Sequence, residues 1–323
     1  MKIPYRHKRV FAAIRSWWRN SRSARIIRKS ADWTANIFLA VCSFYVLKYF
    51  VLLCVGTTGH VPSDSMHPTF KPGDMIWIDK TSLGARVFNL WEDKKLDDHE
   101  IWRLPALGKL KRNDLLLFNY PYLTRHGDSI AQDVTTHYLK RCIALPGDTL
   151  EIINCRYVVN GNDSTVGHID NQLEMRRRLA KERRHFGKPY SVHLPVLTYA
   201  GDTTWTVENA GPFIIPRTGM TIEMTPHNVR FYERYIEWEN RKSLSLDSIS
   251  GTVILGDSII DSYTFKEDYF FAGGDNVAAS RDSRYIGFVP YKFIIGKVVL
   301  IWWSTDEHGT GDINWHRVLT RPQ

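Results

Sequence analysis

Residues 137–162 read HYLKRCIALPGDTLEIINCRYVVNGN. Three runs stand out in it, HYLKRCIAL (137–145), TLEIINC (149–155) and RYVVNGN (156–162), rich in Ile, Val, Leu and Tyr. Short runs of this composition, bounded by Gly, Pro, Asn and Asp, predict strands joined by turns. Pro146-Gly147-Asp148 reads as the turn of a hairpin. The same pattern continues outward in MIWIDK (75–80), DLLLFNY (114–120) and GFVPYKFIIGKVVLIWW (287–303). The body is therefore expected to be mainly β, with few helices.

The composition permits a folded body of this kind. The chain has 323 residues, 43% of them apolar and 13% aromatic, enough to bury a proper core. So many aromatic side chains can offset the ordering entropy, which excludes a wholly disordered chain. With 21 Gly, 14 Pro and 4 Cys, collagen-like and disulfide-miniprotein classes are excluded as well. The net charge of +9 would suggest a nucleic-acid binder if it were spread evenly. Instead ten basic residues and no acidic one fall within 1–30, leaving 33 basic against 34 acidic in the rest. The charge belongs to a tail.

Directly after the tail comes WTANIFLAVCSFYVLKYFVLLCV (33–55), apolar apart from a few small polar residues and Lys48. About 20 apolar residues suffice to span a bilayer. Ten cations upstream orient such a span with its N-terminus in the cytoplasm and all that follows residue 55 exported. A transmembrane helix over 33–53 is expected, with the lipid bilayer as partner and nucleic acid set aside. Lys48 offers a second reading of the lower edge. The helix stops near Val46, and Tyr49–Val55 opens the exported body as a strand. No A-x-A cleavage site follows, which disfavours a removable signal peptide.

Two helices are expected inside the β body. QLEMRRRLAKERRHF (172–186) is highly charged and reads as a solvated face or a membrane-surface contact. MTPHNVRFYERYIEWEN (224–240) begins with Thr225 as a cap and Pro226 at the first helical position. The resulting division is a basic tail (1–32), a span (33–53), a β body (54–162 with 251–323) and an inserted cap (163–250). Cys142 and Cys155 leave two readings open, a bridge in an oxidising compartment or two buried free thiols.

The familiar enzyme signatures do not occur. Twelve histidines are scattered without H-E-x-x-H, and there is no C-x-x-C, Walker loop or G-x-S-x-G elbow. Neither a metal nor a cofactor is expected. What remains is VPSDSMHPTFKPGD (61–74), HYLKRCIALPGDTLEI (137–152) with Lys140 in an apolar run, and YFFAGGDNVAASRDSRYIGFVP (269–290).

Together these stretches resemble the type I signal peptidase (leader peptidase) family. The resemblance lies in Pro62-Ser63-Asp64-Ser65-Met66-His67-Pro68-Thr69, Arg112-Asn113-Asp114, Lys140-Arg141 through Pro146-Gly147-Asp148, and Gly274-Asp275-Asn276 through Ser280, Asp282-Ser283-Arg284-Tyr285 and Gly287. The order of the blocks matches, as does the apolar segment before them. The resemblance implies an antiparallel β-sheet catalytic body behind one N-terminal transmembrane helix, at the outer face of the cytoplasmic (inner) membrane. It implies a membrane-bound serine endopeptidase that removes signal peptides from exported precursor proteins, with those precursors as partners. Ser65 would be the nucleophile and Lys140 the general base. Ser63 would support the oxyanion, Ser280 would orient the lysine, and Asp282 with Arg284 would form a structural ion pair. Val61, Met66, Phe70 and Leu139 would line pockets for small side chains one and three residues before the cut.

The chemistry stands beside the resemblance. A serine hydroxyl needs an adjacent base, and a lysine serves only when neutral. Free lysine is neutral to the extent of roughly 0.04% at pH 7, and apolar burial raises that share. Several residues depart from the family pattern. Asp64 replaces a small residue and would oppose a developing oxyanion unless it points to solvent. Gly59 replaces a bulkier residue, which would widen the deeper pocket. Val277 stands in place of the usual Arg. Ala272 and Gly273 replace bulkier shields of the lysine, so its desolvation must come from elsewhere. Two other readings fit the same residues, a catalytically silent relative that binds exported segments and a Ser–Lys peptidase dedicated to one precursor.

Overall fold

The computed structural model describes residues 10, 15–17, 21–88, 101–123, 129–162, 165–186, 205–247, 249–306 and 311–322. Residues 1–9, 11–14 and 18–20 of the basic tail lie outside the described residues, as do 187–204 of the inserted segment. The chain forms two compact units, residues 1–53 and 54–323.

In the first unit the helix α1 (Arg22–Phe50) runs without a break. The Ser21 hydroxyl caps it by accepting from the Ala24 amide at 3.0 Å. Helix and following turn, Arg22–Val55, are long and apolar enough to cross a membrane. Trp33, Phe38, Phe44 and Val46 are exposed on several sides of it, and an apolar helix without a polar face calls for an apolar surrounding. The alternative lower edge is overturned. Lys48 sits inside the helix, its Nζ 6.0 Å from the Tyr45 ring, and residues 51–55 continue as a wider π turn. The first strand begins at Gly56. Lysine is a good helix former, so a single one does not end a helix.

The second unit is built on a seven-stranded antiparallel sheet. Its strands are β1 (Gly56–His60), β2 (Asp74–Asp79), β3 (Leu115–Tyr120), β4 (Asp133–Ala144), β8 (Tyr269–Gly273), β9 (Val289–Pro290) and β10 (Ile294–Ser304), in the order β1-β2-β10-β3-β4-β8-β9. In β2 Asp74, Ile76 and Ile78 are buried and alternate with half-buried neighbours, the period-2 pattern of a strand with one face inward. Register shifts in β10, at Asn119/Tyr120 and at Phe271/Ala272 bend the sheet. β1 pairs with β2 alone, and β8 covers only residues 141–144 of β4. Among the described residues, strand edge is thus left open along β1 and along the first part of β4, as well as at the short terminal strand β9.

A smaller sheet holds β5 (Thr149–Ile153), β6 (Arg156–Val159) and β7 (Ala210–Ile214) in the order β6-β5-β7. The turn at Pro146–Asp148 is therefore not a hairpin. It carries the chain from one sheet to the other, because β5 pairs with β6 and β7 rather than with β4. The hairpin is the next connection. Asn154 (φ 52°) and Cys155 (φ 67°) form a two-residue loop with both residues left-handed, as a type I′ turn requires.

Two further helices follow as expected, α2 (Ile169–Phe186) and α3 (Pro226–Asn240). Thr225 caps α3 by accepting from the Asn228 amide at 3.2 Å. Its Val229, Tyr232, Tyr235 and Ile236 are buried, and the two tyrosines meet Phe265, Tyr269 and Phe288 in an aromatic cluster. Phe213 of β7 touches Phe271 of β8 at 5.9 Å, so β7 and α3, both from the 163–250 segment, share a core with the main sheet. A second core gathers Val61, Met66, Phe70, Ile76, Ile78 and Ile295.

The Tyr235 hydroxyl accepts from the buried Phe288 amide at 2.8 Å. In Tyr235→Phe that N–H loses its partner, at a cost of about 1–3 kcal/mol. Thermal unfolding of the detergent-solubilised protein is expected several degrees lower.

Candidate active site

The segment after β1 turns sharply through a 3-10 turn, Asp64–Met66, anchored from below by the buried Met66 and Phe70. Four hydrogen bonds from Asn276, Arg141 and Asn171 help to hold it in place. Asn276 gives its amide to the Ser65 carbonyl (3.1 Å) and its side-chain nitrogen to the Asp64 carbonyl (3.2 Å). Arg141 reaches the Thr69 hydroxyl at 3.2 Å. Asn171, in the first turn of α2, donates to the carbonyls of His67 (2.9 Å) and Asp275 (2.7 Å).

Lys140 comes from β4, opposite Leu116. Its ammonium nitrogen donates to the Ser65 hydroxyl at 2.7 Å and to the Leu139 carbonyl at 3.0 Å. The residue is only 4% exposed, and the Tyr138 ring lies 5.4 Å from its nitrogen. Burial pulls its pKa down to about 8, against the charges of Asp282 and Asp275, with Arg284 adding to the drop. The expected desolvation is thus present although Ala272 and Gly273 are small. A lysine near pKa 8 is neutral in about a tenth of molecules at pH 7, against roughly 0.04% for a free one. An amine so placed can accept the hydroxyl proton.

Asp282 and Arg284 form a doubly hydrogen-bonded pair, 2.8 Å on each side, at the foot of α4 (Ser283–Ile286). Burial alone would raise the Asp282 carboxyl, but the Arg284 guanidinium outweighs it and holds it below its ordinary value. Asp282 also accepts from the Gly274 amide at 2.8 Å, which ties the pair to the end of β8, just before the turn that leads to Ser280. A second buried pair, Arg141–Asp275, closes at 2.7 Å on both nitrogens.

Ser63 is exposed, and its hydroxyl lies 3.4 Å from that of Ser65. Ser280 is buried with no hydrogen-bond partner for its hydroxyl among the described residues. The Lys140 nitrogen is bonded to Ser65 and Leu139, so the expected bond from Ser280 is not formed in this arrangement. Ser280 packs close to the serine turn. A β carbon on Gly274 would fall 2.0 Å from its hydroxyl oxygen and 2.7 Å from the Ser65 carbonyl, so only glycine permits the approach. Asp64 is exposed to solvent.

A groove of about 1120 Å³ opens over this cluster, between residues 57–66 on one side and Val134 with His137–Lys140 on the other. Val61, Met66 and Leu139 line it, together with Ile76, Leu117 and Ile295. Phe70 does not, because it is wholly buried in the core beneath. Cys142 and Cys155 are free thiols, both buried.

A protein-family model, "Signal peptidase, peptidase S26", matches residues 30–303. The chain belongs to this family. It is a serine peptidase, a hydrolase of the S26 group. Among similar proteins, a signal peptidase I of Buchnera aphidicola subsp. Baizongia pistaciae is 25% identical over 88% of this chain and 81% of its own. Another, of Buchnera aphidicola subsp. Acyrthosiphon pisum, is 27% identical over 84% of this chain and 74% of its own. That of Rickettsia typhi is 27% identical over 84% and 79%.

Reading the family's blocks alone missed Asn171, which lies outside them on a helix that looked merely charged. Arg141 and Asp275 both lie within the family's blocks, yet nothing in the spacing of those blocks joins two residues 134 positions apart.

Asp282→Asn leaves the Arg284 guanidinium buried without its counter-charge. A loss of about 3–5 kcal/mol is expected, read from the unfolding of the detergent-solubilised peptidase.

Proposed function

We propose that this chain is a membrane-bound serine endopeptidase that removes N-terminal signal peptides from exported precursors. The observation that carries the proposal is the buried Lys140 amine at 2.7 Å from the Ser65 hydroxyl, beneath a groove flanked by two open strand edges. An extended precursor adds as a strand between those edges, receiving backbone hydrogen bonds from both. Val61, Met66 and Leu139 bound the pockets for its side chains.

Neutral Lys140 takes the Ser65 proton as the oxygen attacks the scissile carbonyl carbon. The Ser65 amide and the Ser63 hydroxyl donate to the oxyanion that forms. An amide in the first turn of a helix has no partner within that helix, and the exposed Ser63 hydroxyl already stands 3.4 Å from that of Ser65. Lys140 then passes its proton to the leaving amine, the C–N bond breaks, and an ester to Ser65 remains. Water, giving its proton to the same lysine, attacks the ester; the lysine returns that proton to the Ser65 oxygen as the C–O bond breaks, and the signal peptide is released. Ser65 and the Leu139 carbonyl orient Lys140, each accepting from its nitrogen. Asp282 and Arg284 hold the strand beneath, and no step calls for a cofactor.

The span in α1 anchors the peptidase, with the basic tail on the cytoplasmic side and the body on the outer face. Its substrates emerge on that face.

The test is cleavage of a labelled precursor with alanines one and three residues before the cut by detergent-solubilised protein. Ser65→Ala and Lys140→Ala are each expected to lose activity about a thousandfold or more with unfolding temperature retained. Binding without cleavage by the wild type would favour the silent relative. Below about pH 8 the lysine is increasingly protonated, so kcat/KM should rise nearly tenfold per unit toward pH 8 and level off above it. A flat profile between about pH 6 and 10 would exclude a lysine base. Asp64→Gly is expected to leave the rate within about twofold, since an exposed charge is screened by water.

A further inference from the structure

We propose that Arg317 is a positioning residue for the peptidase reaction, acting through the loop that carries Ser65. This rests on the cleavage reading above and gives a task in it to the segment 311–322, which lies beyond the stretch 30–303 matched by the family model.

The loop 61–73 leaves β1 and returns to β2 with its two ends in contact. Val61 gives its amide to the Asp74 carbonyl at 2.9 Å, and Gly73 gives its own to the Val61 carbonyl at 3.1 Å. The carboxylate of Asp74 has no exposure to solvent. It accepts from the Lys71 amide (2.9 Å), the Ser304 hydroxyl (2.7 Å) and two nitrogens of Arg317 (3.1 and 2.6 Å). Neutralising a buried carboxylate would need only one positive charge. Arg317 does more, because its planar fork has donors to spare. The same guanidinium reaches the Thr69 carbonyl at 2.8 Å. Thr69 is thereby held at two points, its hydroxyl by Arg141 and its carbonyl by Arg317. One residue on, the Phe70 amide bonds the Met66 carbonyl at 2.9 Å, which carries the hold to the residue beside Ser65.

The segment bearing Arg317 is itself fastened to the main sheet. Thr320 exchanges two backbone hydrogen bonds with Ile301 of β10, at 2.8 and 3.1 Å, and the Asn314 amide bonds the Ser304 carbonyl at 2.9 Å. Neither Thr69, Asp74 nor Arg317 lines the groove. Substrate binding is therefore left alone, and the effect falls on where the Ser65 oxygen stands relative to the Lys140 nitrogen. Displacements of about 1 Å at reacting atoms cost up to about a hundredfold in rate.

The test uses full-length detergent-solubilised protein and the alanine precursor above, with kcat counted per folded molecule. In Arg317→Ala kcat is expected to fall about tenfold or more while KM stays within about twofold. Arg317→Lys should recover part of the loss. Should Arg317→Ala fail to fold, the double variant Asp74→Asn with Arg317→Ala removes the buried charge together with its partner and is expected to show the same fall. Amide hydrogen exchange over residues 65–70 should quicken about fivefold or more in the same variants. A lower unfolding temperature with kcat and this exchange unchanged overturns the proposal, as does a rise in KM alone. Loss of cleavage in Ser65→Ala reports on the peptidase reading, and the exchange reports on the clamp without any cleavage, so either can fail alone.

Discussion

Charge balance around one buried amine organises this molecule. Lys140 is set among two carboxylates and two guanidinium groups within the body, all of them buried. Had Asp275 and Asp282 stood alone, their fields would have kept the lysine protonated, because an opposite charge in a low-dielectric site favours the charged form. Each is instead clamped on both oxygens by an arginine, Asp275 by Arg141 and Asp282 by Arg284. Burial then dominates, and the pKa comes to about 8. The same pairs fix geometry. Asp282 holds the Gly274 amide, Arg141 holds Thr69, and the carbonyl of Asp275 receives Asn171. One set of contacts therefore sets both the basicity of the amine and the place of the hydroxyl it meets.

The sheet makes such a site reachable by a polypeptide. A strand edge is an exposed row of backbone donors and acceptors, normally a hazard that proteins cover. Here β4 is covered by β8 only beyond Lys140, so the edge stays open up to the site. β1 stays open on the facing side and runs directly into the turn that bears Ser65. The smaller sheet, α2 and α3 pack elsewhere on the body, where Phe213 and Tyr235 reach the back of the main sheet through Phe271, Tyr269 and Phe288. The segment between the family's sequence blocks thus braces the site from behind, and through Asn171 it touches the serine turn itself.

Much of this was legible in the residues. Alternation predicted the principal strands to within a few positions, and Thr225-Pro226 marked the start of α3, because these signals are local and their causes lie within a few residues. Ser65 and Lys140 were found through ordered blocks, and the fold brings the two together. The misreadings are non-local. Pro146-Gly147-Asp148 specifies that the chain turns, yet not which sheet receives the next strand; that depends on β7, some sixty residues further on. Phe70 carried the right chemistry for a pocket wall, but whether an apolar residue faces a groove or the core beneath depends on the direction of its backbone. Lys48 was weighed as a charge in a membrane, while the local preference for helix carried the chain past it.

Gly274 shows why the site could not be read from residue type alone. By composition it is one of 21 glycines. In the fold a β carbon there is excluded, since the Ser280 hydroxyl and the Ser65 carbonyl already occupy its place. Chemistry at the serine requires groups held in contact, and so it uses glycine to bring backbones together. Two residues on, Asn276 grips the same turn through the carbonyls of Ser65 and Asp64.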